Sequence, residues 1–143
     1  MLKSKSPVVI AEISANHNGN LKNAKKLIYD AKKYGANLVK FQTYQAETMT
    51  LNSNRKDFII KRGIWKNKKL WDLYKKAQTP FSWQKPLFDY ARKLRIKSFS
   101  TPFDKNAVDL LEKLNCPIYK IASFELTHLP LIKYVAQTKK PII

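Results

Sequence analysis

Leu38-Val39-Lys40-Phe41-Gln42-Thr43 is a short run of β-branched, aliphatic and aromatic residues into which one lysine and one glutamine are set. It follows Gly35, a residue placed to end a helical pattern as its C′ glycine, so the run reads as a strand entered from a helix. The same alternation extends outward on both sides. Upstream, Pro7-Val8-Val9-Ile10-Ala11-Glu12-Ile13-Ser14 is a mostly apolar stretch of the kind buried on both faces of a parallel sheet. Asn20 then caps a helix whose apolar positions Ala24, Leu27, Ile28 and Ala31 recur at helical spacing. Downstream, a polar and aromatic excursion from about Tyr44 to Pro80 carries a short helix near Leu70–Tyr74, and an insertion of that length after a strand is more often functional than idle. Ser82 is expected to cap a helix through Leu87, Phe88, Ala91 and Leu94, with Pro86 tolerated near the first turn. Lys97–Thr101 makes a third strand before a helix carrying Val108, Leu111 and Leu114. Ile118–Ser123 makes a fourth before a helix carrying Leu131, Ile132, Val135 and Ala136, and Pro141-Ile142-Ile143 begins a fifth.

Strands alternating with helices pair in parallel through right-handed crossovers, so the fold class is α/β. An open doubly wound sheet and the first half of an eightfold (β/α)8 TIM barrel both satisfy that pattern. The strand ends favour the barrel: Glu12, Ser14 and Asn16 follow the first strand, Lys40 and Gln42 lie in the second, Ser100 and Thr101 in the third, and Lys120, Ser123 and Glu125 at the fourth. A barrel gathers such ends on one face around one site. A lysine within an apolar parallel strand is costly unless it meets an anion or carboxylate. Lys40 and Lys120 therefore read as a cradle for a phosphate or carboxylate ligand. In the alternative, they pair with Glu12 or Glu125 or reach past the strand end to water. No Gly-rich phosphate loop is present, and three glycines leave no dinucleotide fingerprint.

The chain has 143 residues, with 28 Lys+Arg against 10 Asp+Glu and a net charge of +18. Its lysines fall in helix-face pairs from end to end with no dense basic tail, so no specific nucleic-acid partner is expected. Hydrophobic residues make up 44%, enough for a core. No apolar run approaches the roughly 18 residues of a membrane span, and the basic lead Met1–Ser6 precedes too short an apolar stretch for a secretory signal, so a cytoplasmic protein is expected. Cys116, the single cysteine, rules out an internal disulfide and reads as a packed thiol before Pro117. His17 admits two readings, lining a site or bonding its own loop, while His128 reads as structural. Asn16 and Asn18 read as loop-shaping residues. Trp65, Trp71, Tyr74, Phe81 and Trp83 either wall a pocket or pack the insertion on itself.

Four segments in order carry a family resemblance: Ala11-Glu12-Ile13-Ser14-Ala15-Asn16-His17-Asn18-Gly19-Asn20, Val39-Lys40-Phe41-Gln42-Thr43-Tyr44, Ser100-Thr101-Pro102-Phe103-Asp104 and Tyr119-Lys120-Ile121-Ala122-Ser123-Phe124-Glu125. Together, from about Val8 to Ile143, they resemble the N-terminal half of the sialic acid synthase family. Ile121–Glu125 and the Leu73–Phe81 stretch look more like the pseudaminic acid branch than the N-acetylneuraminate branch. Ser14, where neuraminate-type relatives are expected to carry glycine, and the bulk of Phe124 point the same way.

The resemblance implies condensation of phosphoenolpyruvate with an open-chain amino sugar, 2,4-diacetamido-2,4,6-trideoxy-altrose, to give a nine-carbon nonulosonic acid and phosphate. N-acetylneuraminate or legionaminate synthesis is the neighbouring alternative. By resemblance Glu12 is the catalytic carboxylate, and Lys40, Thr101, Lys120 and Ser123 are phosphoenolpyruvate contacts. Gln42 is a further pocket residue, and Glu125 a second candidate for water or sugar hydroxyls. The resemblance also implies a divalent metal, manganese or magnesium, held by histidines on later strands outside this chain, and a homodimer completed by an antifreeze-like domain. Residues 1–143 are then expected to be the N-terminal portion of the barrel domain, about four βα units and the start of strand five, inactive alone. A non-catalytic half-barrel that assembles with a partner chain is the expectation from another class.

Overall fold

The computed structural model of the protein describes residues 7–143, so the basic lead Met1–Ser6 lies outside the described residues. Strands β1 (Ile10–Glu12), β2 (Leu38–Thr43) and β3 (Lys97–Pro102) form a parallel sheet in the order β1-β2-β3. Helix α1 (Leu21–Lys33) connects the first two. The connection from β2 to β3 passes through α2 (Ala46–Met49), a 3-10 turn at Lys56–Phe58, α3 (Leu70–Ala77) and α4 (Phe81–Lys93). Helices α5 (Lys105–Lys113) and α6 (Leu129–Gln137) follow β3.

The expected fourth and fifth strands are present as parallel bridges rather than full ladders. Ser100 pairs with Tyr119, and Tyr119 with Ile142. Backbone hydrogen bonds from Lys120 N to Ser100 O (3.2 Å) and from Ile121 N to Ile143 O (3.0 Å) carry the sheet on in the same direction.

Three helices stop by one device. After α1, Gly35 N–H donates to Lys32 O and Ala36 N–H to Ala31 O, with Gly35 at φ 87°, the paired bonds of a Schellman turn. The same pair closes α4 at Arg95 (φ 55°) and Ile96, and α5 at Asn115 (φ 57°) and Cys116. Each turn satisfies helix-end carbonyls and aims the chain straight into the next parallel strand. The starts are capped as their residue types dictate. The Asn20 side chain accepts from Lys22 and Asn23 N–H, and that of Asp104 from Ala107 N–H at 2.7 Å.

Three sequence expectations are corrected. β1 covers Ile10–Glu12 rather than Pro7–Ser14 and is half-buried to exposed, because it pairs with β2 alone among the described residues and Ser14 turns away at φ 42°. Ser82 lies inside α4, whose N-cap position is taken by Pro80 with no side-chain cap. Pro86 sits past the first turn, and α4 runs on through it to Lys93.

The core lies between sheet and helices. Val39 and Phe41 are buried with Ile28, Leu87, Phe88, Leu111, Leu131 and Val135 around them, while Phe99, the partner of Lys40, is buried on the other face of the sheet. The Phe41 ring meets Phe88 of α4 at 5.4 Å, and Cys116 is buried with its thiol donating to Ile118 O. Burial pushes that thiol up to about 11. Among the described residues no helix is long and apolar enough to cross a membrane.

Candidate active site

Alternation along a strand assigns its side chains to faces. Phe41 packs on α4 and the Tyr119 phenol donates to Glu112 of α5, so these two mark the helix-covered face. Their neighbours Lys40, Gln42 and Lys120 take the opposite face. Register then lines these residues up across the sheet: Glu12 is the partner of Lys40, Gln42 that of Thr101, and the Ser100–Tyr119 bridge sets Lys120 beside Thr101. Five of the sequence-derived candidates, Glu12, Lys40, Gln42, Thr101 and Lys120, thus share one face at the C-terminal ends of the strands.

Each makes a distinct contact. The Lys40 ammonium, 16% exposed, forms an ion pair with the Glu12 carboxylate, which answers one of the alternatives left open by the sequence. Lys120 does not find Glu125. Its ammonium donates to Ile121 O at 2.6 Å, a neutral acceptor that leaves its charge without a counterion among the described residues. The Gln42 Oε1 accepts from the Ser14 hydroxyl at 2.5 Å. Thr101 is 1% exposed, and its hydroxyl has no hydrogen-bond partner among the described residues, an expensive state for a buried polar group.

Ser123 and Glu125 lie just beyond, in a 3-10 turn at Ser123–Glu125. Ser123 is exposed, whereas the Glu125 carboxylate turns to His128 Nδ1 at 3.0 Å and ties that turn to the start of α6. Glu125 is therefore not brought to the Glu12–Lys40 pair in this arrangement.

The loop after β1 is held by a buried knot. His17 is 0% exposed; its Nδ1 accepts from Gly19 N–H at 3.0 Å and its Nε2 faces Thr79 Oγ1 at 3.1 Å, with the ring edge-on to Trp83 at 5.5 Å. Because Nδ1 accepts, the proton sits on Nε2, and burial lowers the imidazole pKa so that the neutral ring is favoured. Of the two readings of His17, this geometry supports the loop-bonding one. In the aromatic excursion Tyr44 meets Tyr74 at 6.0 Å and Phe103, just past β3, at 5.3 Å, while Trp65 is exposed.

Sequence reasoning missed Gln84. It is fully buried in α4, its Nε2 donates to Gln42 O at 3.2 Å, and its Oε1 has no partner among the described residues. The signal was available, since Gln84 lies one turn before Leu87 and Phe88 on the apolar stripe, and a polar residue on a buried face needs a reason. Thr79, which anchors His17, carried no such signal.

A hollow of about 790 Å³ opens at the opposite ends of the strands, where Leu38, Ile96, Lys97 and Ile118 line it. It holds none of the candidate residues. Among the described residues no three His, Cys, Asp or Glu side chains come together in a way that would hold a metal ion.

Residues 27–143 match the sequence profile of the NeuB family. The chain is 51% identical over 137 residues to the pseudaminic acid synthase of Helicobacter pylori, covering 96% of this chain and 40% of that protein. It is 37% identical over 139 residues to the N,N'-diacetyllegionaminic acid synthase of Campylobacter jejuni, covering 97% of this chain and 42% of the relative. Its fold superposes on the crystal structure of the N-acetylneuraminic acid synthetase of Leptospira borgpetersenii in complex with citrate. The TM-score is 0.79 at 28% identity, over 96% of this chain and 44% of that one. The chain thus spans about 40% of the length of the curated relatives it matches. With a parallel sheet, ordered strand-end residues and a profile match over most of its length, this chain belongs to the NeuB family, whose similar members are pseudaminic, legionaminic and sialic acid synthases.

Proposed function

We propose that this chain is the N-terminal portion of a TIM-barrel synthase that condenses phosphoenolpyruvate with 2,4-diacetamido-2,4,6-trideoxy-altrose to a nine-carbon nonulosonic acid, releasing phosphate. The single observation that carries the reading is the row of Glu12, Lys40, Gln42, Thr101 and Lys120 on one face at the strand ends. A parallel order that continues past β3 through residues 118–121 to 141–143 supports the barrel. The similarity to a pseudaminic acid synthase supports this sugar over that of the legionaminate and neuraminate enzymes.

Phosphoenolpyruvate brings a phosphate and a carboxylate, and the ammonium groups of Lys40 and Lys120, with the hydroxyls of Thr101 and Ser123, are donors suited to both. Held there, C3 of phosphoenolpyruvate attacks the sugar aldehyde carbon. The new C–C bond forms as the C2=C3 π bond breaks, leaving C2 electron-poor and the aldehyde oxygen as an alkoxide. Water then adds to C2 and gives a proton to the Glu12 carboxylate, which passes it to the alkoxide; the C2–O bond to phosphate breaks as the remaining hydroxyl proton goes to the departing phosphate and C2=O forms. Glu12 is fixed for this task by Lys40. Glu125 would reach water or sugar hydroxyls only by leaving His128. The divalent metal that the family resemblance implies would be held by histidines on later strands and would polarise the aldehyde; among the described residues of this chain no ligand set for it occurs. The working protein is a cytoplasmic homodimer in this proposal, and residues 1–143 by themselves do not turn over.

The test is steady-state turnover of the polypeptide as the cell makes it. Glu12→Gln is expected to lower kcat by about 10²–10⁴-fold with a smaller effect on KM, the signature of lost proton transfer. Lys120→Ala is expected to raise the KM for phosphoenolpyruvate. Phosphate release that is absent with every amino sugar offered, or full activity in Glu12→Gln, refutes the proposal. A half-barrel that serves only to assemble with a partner chain is the second reading. It expects no turnover and a defined assembly by light scattering.

A further inference from the structure

Ser14 stands just past β1 with its backbone at φ 42°, in the left-handed region that disfavours any residue with a Cβ and that glycine enters freely. Side chains persist in such strained geometry where their surroundings over-determine them, and these places cluster at functional sites. The Ser14 side chain makes one hydrogen bond among the described residues: its hydroxyl donates to Gln42 Oε1 at 2.5 Å. With the hydroxyl donating to Oε1, the amide is held with both Nε2 hydrogens turned from Ser14. The backbone beneath it is also pinned, because Gln84 Nε2 donates to Gln42 O.

The neighbours on that face are Glu12, whose carboxylate is paired with Lys40, together with Lys120 and Thr101, whose buried hydroxyl has no partner among the described residues. The ammonium groups donate only, and a hydroxyl can donate. Beside the one carboxylate, already engaged by Lys40, an amide oriented nitrogen-outward adds to these donors.

We infer that Ser14 is a positioning residue, which orients the Gln42 amide so that its N–H groups meet the substrate. The substrate group lodged there is an acceptor oxygen. This rests on the synthase reading above and deepens it: the acceptor is a phosphate or carboxylate oxygen of phosphoenolpyruvate, or an amide carbonyl of the acetamido sugar. Gln42 touches substrate; Ser14 acts through Gln42.

The test is steady-state kinetics and melting of the polypeptide as the cell makes it, with Ser14→Gly, Ser14→Ala, Gln42→Ala and the Ser14→Gly/Gln42→Ala double variant. Ser14→Gly relieves the backbone while removing the bond, so its melting temperature is expected to hold or rise while one KM rises about 2- to 10-fold, the worth of a hydrogen bond. Ser14→Ala keeps the strain and is expected to show the same KM with a lower melting temperature. In the Gln42→Ala background, Ser14→Gly is expected to add nothing. A rise confined to the KM for phosphoenolpyruvate assigns its phosphate or carboxylate as the acceptor, and one confined to the sugar assigns the amide carbonyl. An active wild type whose KM values ignore Ser14→Gly, or a Ser14 effect that persists in full without Gln42, overturns the inference alone. A wild type that turns over no phosphoenolpyruvate overturns the synthase reading and this inference with it.

Discussion

The buried imidazole of His17 gives a stability prediction that can be worked from its contacts. The ring accepts from Gly19 N–H at 3.0 Å, donates to Thr79 Oγ1 at 3.1 Å and packs edge-on against Trp83. Its pKa is lowered by burial, so in the folded protein it binds a proton less readily than in the unfolded chain. Between the folded pKa and the ordinary value near 6.5, the unfolded state holds more protons, and stability therefore rises with pH. The contribution is fully present above about 6.5 and is lost as pH falls from there through the folded pKa. Protonation also turns Nδ1 from an acceptor into a donor facing the Gly19 N–H, which breaks one of the two bonds.

His17→Phe keeps a flat ring against Trp83 but can neither titrate nor hydrogen-bond. Two bonds worth about 1 kcal/mol each disappear, so a loss of about 2 kcal/mol is expected at pH 7.5, or roughly 7 °C in melting temperature for a chain of this size. The decisive measurement is urea unfolding at a series of pH values. Wild type is expected to lose stability from pH 6.5 downward, and His17→Phe to be flat until carboxylates protonate. Those carboxylates act in a separate, lower window. Glu112 illustrates it: burial alone would raise its pKa, but hydrogen bonds from Lys140 and Tyr119 outweigh this and lower it. Its contribution is lost only as pH falls below the ordinary carboxylate range. The same slope below pH 6.5 in both proteins would refute the assignment to His17.

Two further outcomes follow from the backbone and the core. Arg95 occupies the left-handed C′ position of α4 at φ 55°, so Arg95→Gly is expected to raise the unfolding free energy by roughly 0.5–1 kcal/mol, read as a higher urea midpoint at unchanged m-value. The Lys32 ammonium contacts the Arg95 backbone carbonyl, which the variant keeps, and a lower midpoint would refute the strain. The Cys116 thiol, buried and pushed up to about 11, is expected to react with a disulfide reagent at pH 8 far more slowly in native protein than in urea. Equal rates would show that the thiol is accessible.

Much of the fold was legible because local chemistry and tertiary role agree. The Asn20 cap and the Gly35 stop are found where the sequence places them, since each rests on contacts within one turn of chain, and β2 runs over Leu38–Thr43 as its apolar pattern marks it. The helix stops at Arg95 and Asn115 use the geometry of Gly35 without its residue type, and so gave no comparable sign. Ser82 looked like a cap by residue type, but Pro80 holds that position and the helix begins at Phe81. β1 read as buried on both faces from its apolar run, yet burial depends on neighbours, and β1 has β2 alone among the described residues.

The candidate site divides in the same way. The amino-acid sequence by itself determined which residues are chemically costly in a parallel strand, and hence that Lys40 and Lys120 need an acceptor. It also determined, through its ordered motifs, the family to which the chain is similar. Which acceptor each lysine meets was decided by tertiary structure. Parallel register sets Glu12 beside Lys40, while the turn at Ser123–Glu125 sends Glu125 to His128 and leaves Lys120 on a backbone carbonyl. The Ser14–Gln42 bond and the Gln84 contact span 28 and 42 residues of sequence. Residue type sets what a side chain can offer, but long-range pairs exist only once strand register and helix packing have fixed the distance between them.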